Sequence, residues 1–479
     1  MFDILIIGAG IVGSLLAREI KKYKLSVAVL DKESDVGNVT SMANSAIIHS
    51  GYDPLPGTLK AKMNVRGNEM FDELTKQLDV SFGRVGSLTV AIYNEQLPLL
   101  DELAARAKEN GVKVELLTRA QVLKMEPNIT KEVKGALLAP TAGIIDPFNL
   151  CVHAMENAVD NGTELFLNEE VIKIDDKGDY FEVKTSKNHV YKAKMVINAA
   201  GLYSDKIAEL VAPIDWKITP RKGQYFVLDH YKSGLVRHVI FPLPSEKGKG
   251  ILVTMTTSGN YLVGPSSELV EDREDFSCDL DTLKKIRESS IIMVPDIPFH
   301  QTIRCFAGLR ASSSRHDFVI ETPKGIPNFV NIGGIESPGF VSAPAIAEYV
   351  VDEFISKVFA LEKNESFNPA VRKYINPKKM RFIDRHKLVK ENPDYGEIIC
   401  NCEKVTLGEV RDVLKRNCPP HTIKAMKKRV RVGFGKCQGT FCLPLVVKEL
   451  AAFYNISPLE VLYDKEDSNI LLEELKEEK

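Results

Sequence analysis

The amino-acid sequence predicts an α/β protein: a dinucleotide-binding unit of Rossmann type, an antiparallel sheet set into it, and a small separate module near the C-terminal end. Three observations carry that reading. A strand, a glycine-rich turn and a helix follow one another over residues 2–23. Alternating or β-branched runs bounded by Gly, Pro or Asn recur between residues 83 and 264, the pattern of antiparallel strands. Half of the eight cysteines fall within 43 of the 479 residues, from Cys400 to Cys442.

Phe2 to Ile7 is an apolar run of buried-strand type, followed by Gly8-Ala9-Gly10-Ile11-Val12-Gly13 and a helical stretch from Ser14 to Tyr23. Gly8 permits the tight turn, Gly10 lets backbone approach a pyrophosphate, and Gly13 lets helix and strand pack closely, with the helix N-terminus facing the phosphates. A second strand, Ser26 to Leu30, ends in Asp31, 18 residues after Gly13, where a carboxylate can accept from ribose hydroxyls. These features predict a bound dinucleotide without a 2′-phosphate, and FAD and NAD both satisfy them. The strands of this unit are discontinuous: Lys194 to Asn198 leads into the turn at Gly201, and Asn328 to Ile332 leads into a final glycine turn and a helix from about Ser342 to Val358. Antiparallel strands are predicted at Gly83–Ile92, Lys173–Thr185, Tyr225–Asp229, Gly250–Thr256 and Tyr261–Gly264. A linker rich in Pro, Lys and Asn spans about 363–395, and a Glu/Lys tail closes the chain at 473–479.

Composition narrows the function classes. A chain of 479 residues exceeds one ordinary core, so two or three domains are expected. Apolar content of 44% and charged content of 27% are those of a globular protein. A formal net charge of −2 argues against nucleic acid as partner. No run of 18 apolar residues occurs, and the six-residue apolar start lacks a basic flank, so no transmembrane segment and a cytoplasmic location are expected. Cys151, Cys278, Cys305 and Cys418 stand singly and read as small apolar residues.

The remaining cysteines form two pairs, Cys400-x-Cys402 and Cys437-x4-Cys442, with 34 residues between them. Four thiolates complete either a [2Fe–2S] site or a closed zinc site, and redox thiols are the third reading. Ile399-Cys400-Asn401-Cys402 and Lys436-Cys437-Gln438-Gly439-Thr440-Phe441-Cys442 resemble the bacterioferritin-associated-ferredoxin-like [2Fe–2S] module. That resemblance implies a small helical domain over 396–479 holding a [2Fe–2S] cluster.

A second resemblance runs through residues 1 to about 360. Ala43-Asn44-Ser45-Ala46-Ile47-Ile48-His49-Ser50-Gly51, Pro56-Gly57-Thr58-Leu59-Lys60-Ala61, Ile197-Asn198-Ala199-Ala200-Gly201, Arg221-Lys222-Gly223-Gln224-Tyr225, Phe306-Ala307-Gly308-Leu309-Arg310 and Gly333-Gly334-Ile335-Glu336-Ser337-Pro338-Gly339 occur in that order. They resemble the FAD-dependent D-amino-acid-oxidase-like superfamily, in its glycerol-3-phosphate and L-2-hydroxyglutarate dehydrogenase branch. The resemblance implies FAD held by Gly8, Gly10, Gly13, Asp31, Ser45, Gly201, Gly334 and Gly339. It implies an oxidoreductase domain over 1–362, with FAD-binding segments at about 1–80, 145–212 and 300–362 and a substrate sheet at about 81–144 and 213–299. His49 is the candidate base or flavin contact, against a loop-ordering histidine. Arg310 is the candidate grip on a substrate anion, against a surface ion pair. Lys222 is a candidate second anion contact, against a solvated lysine, with Arg304 and Tyr52 behind them.

The activity so implied is oxidation of glycerol 3-phosphate to dihydroxyacetone phosphate. L-2-hydroxyglutarate or a related hydroxy acid, an amine such as proline or an opine, and a non-catalytic electron-transfer subunit are the alternatives. Ala43 and Asp53 depart from the L-2-hydroxyglutarate pattern. A one-electron cluster beside a flavin implies a dehydrogenase that feeds another protein, a second flavoprotein or other acceptor subunit. The basic stretch Lys424-Ala425-Met426-Lys427-Lys428-Arg429-Val430-Arg431 is a candidate docking patch for it, against a solvated helix face.

Overall fold

The structure, a computed structural model, describes residues 1–230, 234–243 and 250–473. Most of the Glu/Lys tail therefore lies outside the described residues.

The dinucleotide-binding unit is built on one sheet. Strand β1 (Phe2–Ile7) lies parallel between β2 (Val27–Leu30) and the strand Val190–Asn198, with Ile4 opposite both Val27 and Met195. Strand Phe329–Gly333 continues it in parallel, Ile197 facing Val330. Alternate residues of β1 feed different cores: Ile4 and Ile6 join the one that includes helix α1 (Ile11–Ile20), and Leu5 and Ile7 the one that includes Phe181 and Phe329. A strand buried on both faces needs this continuous apolar run, which is why β1 has no polar alternation beyond Asp3.

The run Lys173–Thr185 folds as a hairpin, Val171–Asp176 and Phe181–Thr185, on the edge of the dinucleotide sheet. Phe181 and Val183 are fully buried against Leu5 and Phe329, and this apolar pairing fixes where the hairpin docks. The run Gly83–Ile92 is likewise two strands. Phe82–Gly83 and Ser87–Ala91 join different sheets across a turn at Gly86, whose φ is +72°.

The second sheet is mostly antiparallel. Its spine is the pairing of Ile218–Leu228 with Thr302–Ser313, in register from Ile218 opposite Ser313 to Tyr225 opposite Phe306 and beyond. Gly308 presses this sheet onto the 40–46 loop: a Cβ there would stand 1.9 Å from the Ala43 carbonyl oxygen.

The C-terminal module is a short hairpin, Ile398–Cys400 with Val405–Thr406, and helices Leu407–Leu414, Ile423–Val430 and Leu443–Tyr454 around a core containing Val410, Met426, Val446 and Leu450. The segment 363–395 runs along the larger domain, fastened by Arg18 to the Pro369 carbonyl at 3.0 Å and by the Val371 N–H to the Gln77 carbonyl at 3.1 Å. No helix among the described residues is long and apolar enough to cross a membrane.

The basic stretch 424–431 overturns its sequence reading as a docking patch. Lys427, Lys428 and Arg429 are 5%, 2% and 3% exposed; Lys428 and Arg429 turn inward onto the dinucleotide unit, and Lys427 onto Tyr463 of its own module. Arg429 forks onto both oxygens of Asp35 at 2.9 Å, and Lys428 reaches the same carboxylate at 2.7 Å. A second buried clamp joins Arg416 to Glu156 at 2.8 Å, with the Tyr374 hydroxyl donating to Glu156 at 2.8 Å. The charges face inward because Asp35, at 1% exposure, would otherwise be an uncompensated buried anion. Facing two cations, its carboxyl sits well below the ordinary carboxylate range although burial alone would raise it.

Candidate active site

The glycine turn makes a cradle that side chains would fill. Gly8 has φ +111°, and a Cβ at Gly13 would lie 1.9 Å from the Gly8 carbonyl oxygen, so strand and helix meet here without side-chain spacing. Gly10 caps α1, and the first helical N–H, of Ile11, donates to the Ser41 hydroxyl at 2.9 Å. Two clefts meet at this turn and share Gly10, Thr40, Ser41, Ala199 and Gly201. The smaller, about 270 Å³, runs past Asp31 and Glu33; the larger, about 430 Å³, runs past Ser45, His49 and Gly339.

Asp31 stands at the end of β2 as predicted, lining the smaller cleft. It accepts from the Ala9 N–H at 2.5 Å and from the Glu33 N–H at 2.8 Å. Burial pushes its carboxyl up to about 6 against these hydrogen bonds. Gly201, with φ +57°, lies where the clefts join. Gly339 begins the helix Gly339–Glu353 and lines the larger cleft. Gly334 is not in either lining; it makes the turn before that helix, at φ +69°, where a Cβ would stand 2.6 Å from the Ser313 Cβ. The two clefts, joined at a helix N-terminus and a side-chain-free turn where both are lined by Gly10 and Gly201, fit a dinucleotide of FAD type.

His49 lines the larger cleft, its ring 5.8 Å from that of Phe241. Its carbonyl is held by the side-chain amides of Asn64 at 2.8 Å and Asn68 at 2.9 Å, both from the helix Leu59–Gln77. Arg310 also lines this cleft, donating to the Ser266 carbonyl at 2.9 Å. Gly223 leaves room for it: a Cβ there would sit 2.3 Å from a guanidinium nitrogen.

Lys222 is on the opposite face of its strand, with Nζ 2.7 Å from Asp275 and 3.3 Å from the Ser277 hydroxyl. Its neighbour Arg221 takes the cleft position, directly across the strand pair from Arg310. Arg221 touches only hydroxyls, Ser312 at 3.4 Å and Ser267 at 3.3 Å, and neither guanidinium has an ion pair among the described residues. Two like charges directly opposite in a sheet repel, and an anion between them removes that cost. Sequence reasoning quoted Arg221 but gave the role to Lys222; the parity of Tyr225, which lines the same cleft, carried the missing signal. Tyr52 is buried against Thr89 at 2.7 Å, outside the cleft, and Arg304 lies at a different cavity.

The four C-terminal cysteines are free thiols gathered in one place as two pairs. Cys402 and Cys437 have sulfurs 3.5 Å apart, and Cys400 hydrogen-bonds Cys442. Backbone N–H groups of Gly433 and Glu403 face the Cys400 sulfur, and those of Gly439 and Phe441 the Cys437 sulfur. Two pairs of thiols suit a two-iron centre that takes two thiolates per iron. Such a centre would be held by Cys400, Cys402, Cys437 and Cys442.

A double cleft of this shape beside a four-thiol module defines a flavin-dependent oxidoreductase with an iron–sulfur domain. Residues 3–353 match the DAO family of FAD-dependent oxidoreductases and residues 398–452 the BFD-like [2Fe–2S] binding domain, and the chain belongs to that FAD-dependent oxidoreductase family. It is 45% identical over the full length of both chains to a glycerol 3-phosphate dehydrogenase of Caloramator mitchellensis. It is 37% identical to a glycerol 3-phosphate oxidase of Mycoplasma genitalium, over 77% of this chain and 97% of that one. The FAD-bound L-α-glycerophosphate oxidase of Mycoplasma pneumoniae superposes with a TM-score of 0.74 at 30% identity, over 77% of this chain and 98% of that structure.

Proposed function

We propose that the protein oxidises glycerol 3-phosphate to dihydroxyacetone phosphate and passes the electrons through its cysteine module to a partner. The observation that carries this reading is the pair Arg221 and Arg310, two guanidiniums in register on the wall of the larger cleft, neither of which has an ion pair among the described residues. A phosphate, with two charges and three acceptor oxygens, satisfies both forks, whereas a single carboxylate matches one. When bound, FAD supplies the hydride acceptor and the cluster a one-electron outlet. His49 takes the substrate's hydroxyl proton as the C–H bond breaks, on a loop anchored by Asn64 and Asn68. Phe241 and Tyr225 exclude water from that face of the cleft.

The relatives support a dehydrogenase. The oxidase of Mycoplasma genitalium is matched over 97% of its own length yet over only 77% of this chain, whereas the dehydrogenase of Caloramator mitchellensis is matched throughout. An enzyme that hands electrons to oxygen needs no module downstream. The acceptor, a second flavoprotein or comparable subunit, meets the module at Phe441, which is 79% exposed between Cys437 and Cys442. The test is flavin reduction without oxygen. Glycerol 3-phosphate should bleach the flavin absorbance and then reduce the cluster, with slow peroxide formation in air. Reduction by L-2-hydroxyglutarate or L-proline but not glycerol 3-phosphate would overturn the substrate.

A further inference from the structure

A third cavity, of about 700 Å³, lies at the seam between the flavin domain and the cysteine module. On one side its wall is Ala43, Asn44 and Ala46, the same segment that lines the larger cleft. On the other side are Phe434 and Gln438, of the loop that carries Cys437. Its volume is that of a small-molecule site.

The lining is aromatic and carries an unanswered positive charge. Phe148 and Phe434 meet across the domain boundary with ring centroids 5.2 Å apart, and Tyr463 adds a third ring. Lys427 is 5% exposed; its Nζ lies 3.2 Å from the Tyr463 hydroxyl and over the Phe434 and Tyr463 rings at 5.4 and 5.6 Å. It has no carboxylate partner among the described residues. Its neighbours do: Lys424 pairs with Asp464, Lys428 with Asp35 and Arg431 with Glu403. Arg304 also reaches the Tyr463 hydroxyl and likewise has no ion pair among the described residues. The four acids in the wall are engaged elsewhere: Glu33 accepts from the Asn38 amide at 3.3 Å and lies 3.9 Å from Lys32, Asp146 caps the helix at Phe148 and Asn149, Asp464 holds Lys424, and Glu274 accepts from Lys32 and Tyr203. A buried ammonium whose nearest polar neighbour is a phenol is costly unless an anion joins it.

We propose that this cavity binds an anionic ligand with a flat heterocycle, of mononucleotide class, whose phosphate meets Lys427 and Arg304 and whose ring lies among Phe148, Phe434 and Tyr463. The site stands between the flavin cleft and the cluster loop. The proposal rests on those two sites and not on the choice of substrate.

The test uses holoenzyme with FAD and cluster loaded. Small molecules released by denaturation are identified and counted by chromatography and mass spectrometry. FMN and AMP are then titrated separately by calorimetry with the FAD site saturated. One phosphate-bearing heterocycle beyond FAD, or saturable one-to-one binding of either probe, is expected. Preference for FMN identifies a redox-active occupant, and preference for AMP a redox-inert one. Lys427→Met should weaken binding at least about tenfold, the loss of one charge-assisted contact, with FAD and sulfide content unchanged. Arg304→Gln, at an exposed position, repeats the test should Lys427→Met fail to fold. Release of FAD alone together with no binding of either probe at millimolar concentration overturns the proposal, and so does equal binding by wild type and variants. Flavin reduction by glycerol 3-phosphate is scored independently, so either claim can fail without the other.

Discussion

Replacing Asp35 by Ala should detach the cysteine module from the flavin domain while each keeps its own cofactor. Asp35, Lys428 and Arg429 are all at most 3% exposed, and among the described residues the three contacts of 2.7, 2.9 and 2.9 Å to Asp35 are the only ion pairs of the two cations. Removing one member of a buried pair costs about 3–5 kcal/mol because the remaining charge is left in low dielectric. Here two cations lose one anion, so the upper part of that range is expected, a change of roughly a thousandfold in the docking equilibrium. The assay is chemical denaturation read by flavin fluorescence and by visible circular dichroism of the cluster, with limited proteolysis in segment 363–395. In the wild type the two signals should change together; in Asp35→Ala the segment should become cleavable at denaturant concentrations where flavin is still bound. Replacing Asp35, Lys428 and Arg429 together by apolar residues of similar volume should restore much of the loss. The pH dependence has a fixed sign. The folded-state pKa of Asp35 is depressed, so its contribution is fully present above the unfolded value near 3.8 and is lost as pH falls below that toward the folded value. A loss under about 1 kcal/mol in Asp35→Ala, or stability that rises on acidification below pH 4, would refute the argument.

Three further outcomes test the site. Gly13→Ala should abolish FAD retention, because its Cβ would stand 1.9 Å from the Gly8 carbonyl oxygen; gel filtration followed by the absorbance spectrum reads this directly. Arg310→Ala and Arg221→Ala should each lower kcat/KM for glycerol 3-phosphate by about 2–5 kcal/mol, and the double variant should lose less than the sum, since both grip one anion; strictly additive losses would place them on different groups. Cys402→Ser should remove two irons and two sulfides per chain while FAD stays bound, and finding one zinc without sulfide in the wild type would reverse the assignment of the four thiols.

What the sequence determined by itself was local. The glycine turn is legible because strand, turn, helix and terminal acid all lie within the first 31 residues and each glycine answers a contact inside that unit, Gly13 against Gly8 most of all. The four cysteines are legible because ligand type and spacing survive without knowledge of packing. His49 and Arg310 were found by motif, and both line the larger cleft. The tertiary structure decided everything that depended on parity or on distant partners. Whether Arg221 or Lys222 enters the cleft turns on the pleat of one strand, which a one-residue shift inverts. Whether 424–431 faces solvent or the core turns on Asp35, which lies nearly four hundred residues away in the chain. A run of lysine and arginine reads as surface because burying charge is costly; only the fold reveals the carboxylates that make burial the lower-energy choice.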